Sequence, residues 1–66
     1  MQITANGKQL DIPAASSVQA LLEELGMDPA RVAVEHNRAI VPRGSFAATL
    51  LAQGDRVEIV QFVGGG

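Results

Sequence analysis

Apolar and polar residues alternate over the first dozen positions, on either side of an Asn6-Gly7 pair. Asn-Gly favours a two-residue hairpin turn because both central positions need positive φ. The pattern therefore predicts strands over residues 1–5 and 8–12. Ile3, Leu10 and Ile12 supply the apolar positions, and Lys8 is expected on an outer face. After Pro13, the run Ser16-Ser17-Val18-Gln19 sets the Ser16 hydroxyl three residues ahead of Gln19, the spacing of a capping box. Val18, Leu21, Leu22 and Leu25 follow at i, i+3, i+4 and i+7, one apolar stripe of a helix whose other side carries Gln19, Glu23 and Glu24. Gly26 is placed to cap its C-terminal end.

Asp28-Pro29 predicts a turn, and two short β-rich runs follow, Val32-Ala33-Val34 and Ala39-Ile40-Val41, separated by Asn37-Arg38. Pro42 cannot donate to a ladder, so it marks a sheet edge or an exit. Phe46, Leu50 and Leu51 within residues 45–52 have helical spacing, but the segment has room for only a turn or two before Gly54-Asp55. A β-branched run over residues 56–63 predicts the last strand, and Gly64-Gly65-Gly66 ends the sequence.

The order ββαβββ predicts an α+β fold of the β-grasp type, a mixed sheet of about five strands packed on one main helix. A split βαβ arrangement would need a second full helix. Residues 1–63 form the single domain, and 64–66 are expected to be a flexible glycine tail.

Composition narrows the chemistry. The chain has 66 residues, 47% of them apolar and 18% charged, enough for a core but little more. With no Cys, neither disulfides nor thiolate ligands can reinforce it. A net charge of −2 with two Phe, no Tyr and no Trp argues against nucleic acid and for protein partners. No apolar stretch approaches a membrane span and no signal peptide is recognisable, so no membrane association and a cytoplasmic location are expected.

The side chains suggest no active site. His36 is the one histidine, and with Glu35 and Asn37 alternating beside it in a strand it makes no metal site; its simpler role is a surface residue next to a turn. The hydroxyls Thr4, Ser16, Ser17, Ser45 and Thr49 suit caps and turns, and the adjacent Glu23 and Glu24 diverge on a helix. The C-terminus remains. Three residues without a Cβ can thread a narrow channel, and the terminal carboxylate becomes a good electrophile once a partner transfers AMP to it. If Val57 and Ile59 face the core, then Arg56, Glu58, Val60 and Phe62 share the outer face. Val60, Phe62 and Val63 are the expected docking contacts for an enzyme that works on the tail.

Three stretches together resemble the ThiS family of thiamine-biosynthesis sulfur carriers: Val32-Ala33-Val34-Glu35-His36-Asn37-Arg38-Ala39-Ile40-Val41-Pro42-Arg43, then Gly54-Asp55-Arg56-Val57-Glu58-Ile59, then Gly64-Gly65-Gly66. The resemblance covers the whole chain. It implies a ubiquitin-like β-grasp whose last residue, here Gly66, is adenylated by an E1-like, ThiF-like adenylyltransferase using MgATP and is then converted to a thiocarboxylate. Gly64 and Gly65 would thread the partner sites. The thiocarboxylate would pass sulfur, drawn ultimately from a cysteine desulfurase, to a ThiG-like thiazole synthase. The chain would be a carrier and a substrate, with no catalysis and no bound cofactor of its own. Arg43 corresponds to the arginine of the family's Val-Pro-Arg segment, where an ion pair within the fold and a partner contact are both open. Asn37 reads as a turn residue tolerant of positive φ. Three other readings stand beside this one. They are a carrier for molybdopterin synthesis, a ubiquitin-like conjugation tag limited by the single lysine Lys8, and a binding module whose tail has no chemistry.

Overall fold

The computed structural model describes residues 1–63. Strands β1 (Gln2–Ala5) and β2 (Lys8–Asp11) form the first hairpin, helix α1 (Val18–Glu24) crosses the sheet, and β3 (Val32–His36), β4 (Ala39–Val41) and β5 (Arg56–Gln61) complete it. Two 3₁₀ turns, Pro29–Arg31 and Arg43–Ser45, join these elements. The sheet order is β2-β1-β5-β3-β4, with β1 and β5 parallel and every other neighbouring pair antiparallel. This is the mixed five-strand, one-helix β-grasp that the residue pattern predicts. The tail Gly64–Gly66 lies outside the described residues.

The core fills the space between one sheet face and α1. Ile3, Val32, Val34, Val57 and Ile59 come from the sheet, Val18, Leu21 and Leu22 from the helix, and Phe46 and Leu51 from the connection into β5. Strand parity does the sorting, since alternate residues point to opposite faces. Ile3 pairs with Leu10, and Ala5 with Lys8, on the same face. Lys8 therefore shares the core-side parity, at the hairpin tip where the core has ended, and not the outer face that alternation suggests.

Helix α1 ends as its sequence predicts but begins one residue later. The cap is Ser17, whose Oγ accepts from the Ala20 amide at 3.0 Å, while the Ser16 hydroxyl turns back to donate to the Pro13 carbonyl at 2.6 Å. The first two helical amides are taken by the segment before β5: Val18 donates to Thr49 O (2.9 Å) and Gln19 to Phe46 O (3.1 Å). That docking places the helix start at Ser17, and Gln19 plays no part in a capping box. At the other end Gly26, at φ +71°, donates to Glu23 O and Met27 donates to Leu22 O, the paired bonds of a Schellman motif. Leu25, expected in the apolar stripe, sits at this C-cap and is exposed. Of the spaced residues in 45–52, Phe46 and Leu51 are buried and Leu50 is exposed. The expected strand over 56–63 stops at Gln61, with one further bond from the Phe62 amide to Arg31 O at 2.7 Å.

Asn6 has a second task beyond its turn. Its Oδ1 accepts from the Ile59 amide (2.7 Å) and its Nδ2 donates to the Ile59 carbonyl (3.0 Å). The side-chain amide thus continues, alongside β5, the ladder that the backbone of β1 leaves when it turns. Asn6→Gly keeps a residue tolerant of φ +50° but removes both bonds; chemical denaturation is expected to show a loss of about 1–3 kcal/mol, from Ile59 groups left without partners. Ala15 holds φ +63° in the turn before α1, so Ala15→Gly is expected to raise the unfolding midpoint by an amount worth up to about 1 kcal/mol.

Candidate functional site

Two regions of the surface hold polar or apolar groups in unusual arrangement. The first lies where β3 turns into β4 and β5 begins. Asn37 and Arg38 form this second hairpin turn with φ of +50° and +72°, the same positive signs as Asn6 and Gly7. Asp55 meets it from the turn before β5. Its Oδ2 accepts from His36 Nε2 at 2.6 Å and from the Ala52 amide at 2.9 Å, and its Oδ1 accepts from Asn37 Nδ2 at 3.1 Å. The carboxylate has no proton to give, so His36 Nε2 is the donor. Asn37 Oδ1 in turn accepts from the Arg56 amide at 2.9 Å. Burial acts to raise the Asp55 carboxyl, but the hydrogen bonds from His36, the Ala52 amide and Asn37, with the His36 charge behind them, prevail and hold it below its ordinary value of 3.8.

This arrangement resembles half of a hydrolytic triad, yet no hydroxyl bonds to His36 among the described residues, and no group of three metal-ligating side chains is found there. Its work is to fasten the β3–β4 turn to the entrance of β5. His36 is only partly exposed and bonded to Asp55, so it is more than the surface residue expected from its neighbours.

Arg43 is held by backbone carbonyls. It makes no ion pair within the described fold; its Nε donates to Pro29 O and its Nη2 to Val32 O, each at 3.0 Å. Extending the β3–β4 register past Val34↔Val41 brings Arg43 opposite Val32. The strand has ended, so the guanidinium of Arg43 supplies to Val32 O the donor that its own amide would have offered in a continuing strand.

The second region is the outer sheet face beside the end of β5. Val57 and Ile59 are buried as parity requires, while Val60 is 58% exposed, Phe62 55% and Val63 94%. All three expected docking residues are therefore accessible. Two residues join them that the sequence reading does not single out. Ala33 lies opposite Val60, and Ile40, 69% exposed, lies opposite Glu35. The clue was present: if Val34 and Val41 face the core, Ile40 must face out. Phe62 also leans over a cleft of about 230 Å³ whose walls include Val32, Pro42, Arg43 and Phe46. Gly64, Gly65 and Gly66, expected to thread and to be modified, lie outside the described residues. No described helix is long and apolar enough to cross a membrane.

Comparison with known proteins gives consistent matches. A model of the ThiS family matches residues 1–66. The chain is 47% identical to a thiazole synthase of Paramagnetospirillum magneticum over all its residues, but it spans only 20% of that relative's length. It is 35% identical to the sulfur carrier protein ThiS of Escherichia coli, with both chains covered in full. The crystal structure of the thiamine biosynthesis protein ThiS from Geobacter metallireducens superposes with a TM-score of 0.85 at 36% identity, again over 100% of both chains.

The Asp55 knot has a pH signature. A carboxyl whose folded pKa lies below its unfolded value stabilises the fold fully above the ordinary 3.8, and this share is lost as pH falls through 3.8 toward the lower folded value. Asp55→Asn is expected to lose about 1–3 kcal/mol at neutral pH and to show a flatter decline in acid than the parent. Denaturation midpoints measured across the acid range check both.

Proposed function

The chain belongs to the ThiS family, small sulfur carriers of thiamine biosynthesis, and on that premise we propose that its Gly66 carboxylate is the group that carries the sulfur. An adenylating partner holds MgATP and the tail together. The carboxylate oxygen attacks the α-phosphorus, pyrophosphate leaves, and an acyl adenylate forms at an unhindered glycine carbon. A persulfide charged by a cysteine desulfurase displaces AMP to give an acyl disulfide, and a second thiol of the partner then cleaves the S–S bond, leaving an enzyme disulfide and the thiocarboxylate that thiazole synthase consumes. The chain contributes no catalytic group. It contributes reach, through Gly64 and Gly65, and a body that the partner can grip.

The observation that carries this reading is the apolar face that leads directly into the glycines. Val60, Phe62 and Val63 are consecutive or alternate positions at the end of the central strand, all exposed, and none is needed for the core. An enzyme that must hold a small protein while acting on its end needs such a grip next to the reacting group. The match to a stretch of a thiazole synthase supports the acceptor, since it is a ThiS-like segment related to a protein of that name.

Intact mass spectrometry tests the proposal. Incubation with the host adenylyltransferase, MgATP and a sulfur source is expected to add the mass difference of one oxygen replaced by sulfur, localised to Gly66. A variant lacking Gly65 and Gly66 should fold normally and gain nothing. Sulfur transfer by that variant would overturn the assignment.

A further inference from the structure

The outer face has an acidic half as well as an apolar one. Glu35 on β3 and Glu58 on β5 are direct cross-strand partners, and both are exposed. Like charges directly opposite each other on neighbouring strands destabilise a sheet. No described cation relieves them, because the ion pairs of the fold are Met1 with Asp11, Arg31 with Asp28, and His36 with Asp55. Arg56 follows the same parity two residues earlier on β5, and Arg38 sits at the adjoining turn, yet neither forms an ion pair with either glutamate. Two register positions toward the end of β5, on the same face, the pair gives way to Ala33 and Val60, with Ile40 flanking Glu35 on the other side. A local arrangement that costs the isolated fold stability is one that a partner can use.

We infer that Glu35 and Glu58 together receive a lysine or arginine side chain of the adenylating partner, seated beside the contact that Val60 and Ile40 make. The inference rests on the proposed function and specifies the chemistry of its docking face. Two carboxylates on directly paired residues of adjacent strands match the fork of a guanidinium, which can bond to both at once. The adenylating partner is the fitting occupant because it must hold a triphosphate next to the tail, which requires basic groups around that site. A carrier of net charge −2 approaching such a site gains in association rate when its negative charge lies on the leading face.

Calorimetric titration of the host adenylyltransferase with the full-length carrier separates the possibilities. The double variant Glu35→Gln, Glu58→Gln is expected to unfold at a higher denaturant concentration than the parent, because the repulsion is gone. It should nonetheless bind roughly tenfold more weakly and lose much of the parent's salt dependence. Greater stability with weaker binding is a combination that a purely structural role for the pair does not produce. Unchanged affinity for the double variant, with Val60→Ser still weakened, would overturn this inference and leave the carrier reading intact. Weakened binding to thiazole synthase alone would overturn the choice of partner. Failure of the parent chain both to bind the adenylyltransferase and to gain sulfur would overturn the carrier reading and this inference with it.

Discussion

The pairing that the rest of the structure depends on is the one between the first strand and the last. Thr4 lies beside Arg56 and Ala5 beside Val57, so β5 is inserted between β1 and β3 and becomes the middle of the sheet. Its parity then has no freedom: Val57 and Ile59 must meet α1, and Glu58 and Val60 must face outward. The chain leaves the sheet from its central strand, which has neighbours on both sides, and the exposed apolar residues at that exit are held on a rigid support.

Much of this arrangement is legible in the residues, element by element. Asn6-Gly7 and the alternation around it identify the first hairpin, Gly26 identifies the helix end, and the β-branched run from Arg56 gives both a strand and its faces. These are local signals, and they held. What could not be read was set by contacts between distant segments. The helix starts at Ser17 because Phe46 and Thr49, far along the chain, offer carbonyls to Val18 and Gln19. Leu25 leaves the core because the helix stops there, which spacing alone does not reveal. In the proposed docking region, Val60 and Phe62 follow from parity and Val63 from its place beside the glycines, whereas Ile40 and the Glu35–Glu58 pair needed the register between strands. The glycine ending stands out in the residues themselves, and the sulfur chemistry proposed for Gly66 rests on the resemblance to a family.

Four polar side chains stand in for backbone. The amide of Asn6 lengthens the β1 side of the ladder, the guanidinium of Arg43 supplies the donor that its own amide would give in a longer β4, and Asn37 bonds the Arg56 amide while Asp55 gathers His36 and Ala52. Each lies at a strand end, where short strands would otherwise leave buried or half-buried groups unpaired. No described buried side-chain nitrogen or oxygen lacks a partner. A small chain with no Cys thus closes its seams with hydrogen bonds, which tie together segments remote in sequence.

The shortness of β4 has a consequence for behaviour in a crowded solution. An open strand at the side of a sheet is a template on which other chains can assemble, and an apolar face beside it would favour stacking. Here the exposed side is three residues long and is followed at once by Pro42, which offers no amide, while the opposite side of the sheet carries Lys8 and Asp11. The molecule can therefore display Val60, Phe62 and Ile40 to a partner without also offering the long unpaired backbone that would nucleate aggregation.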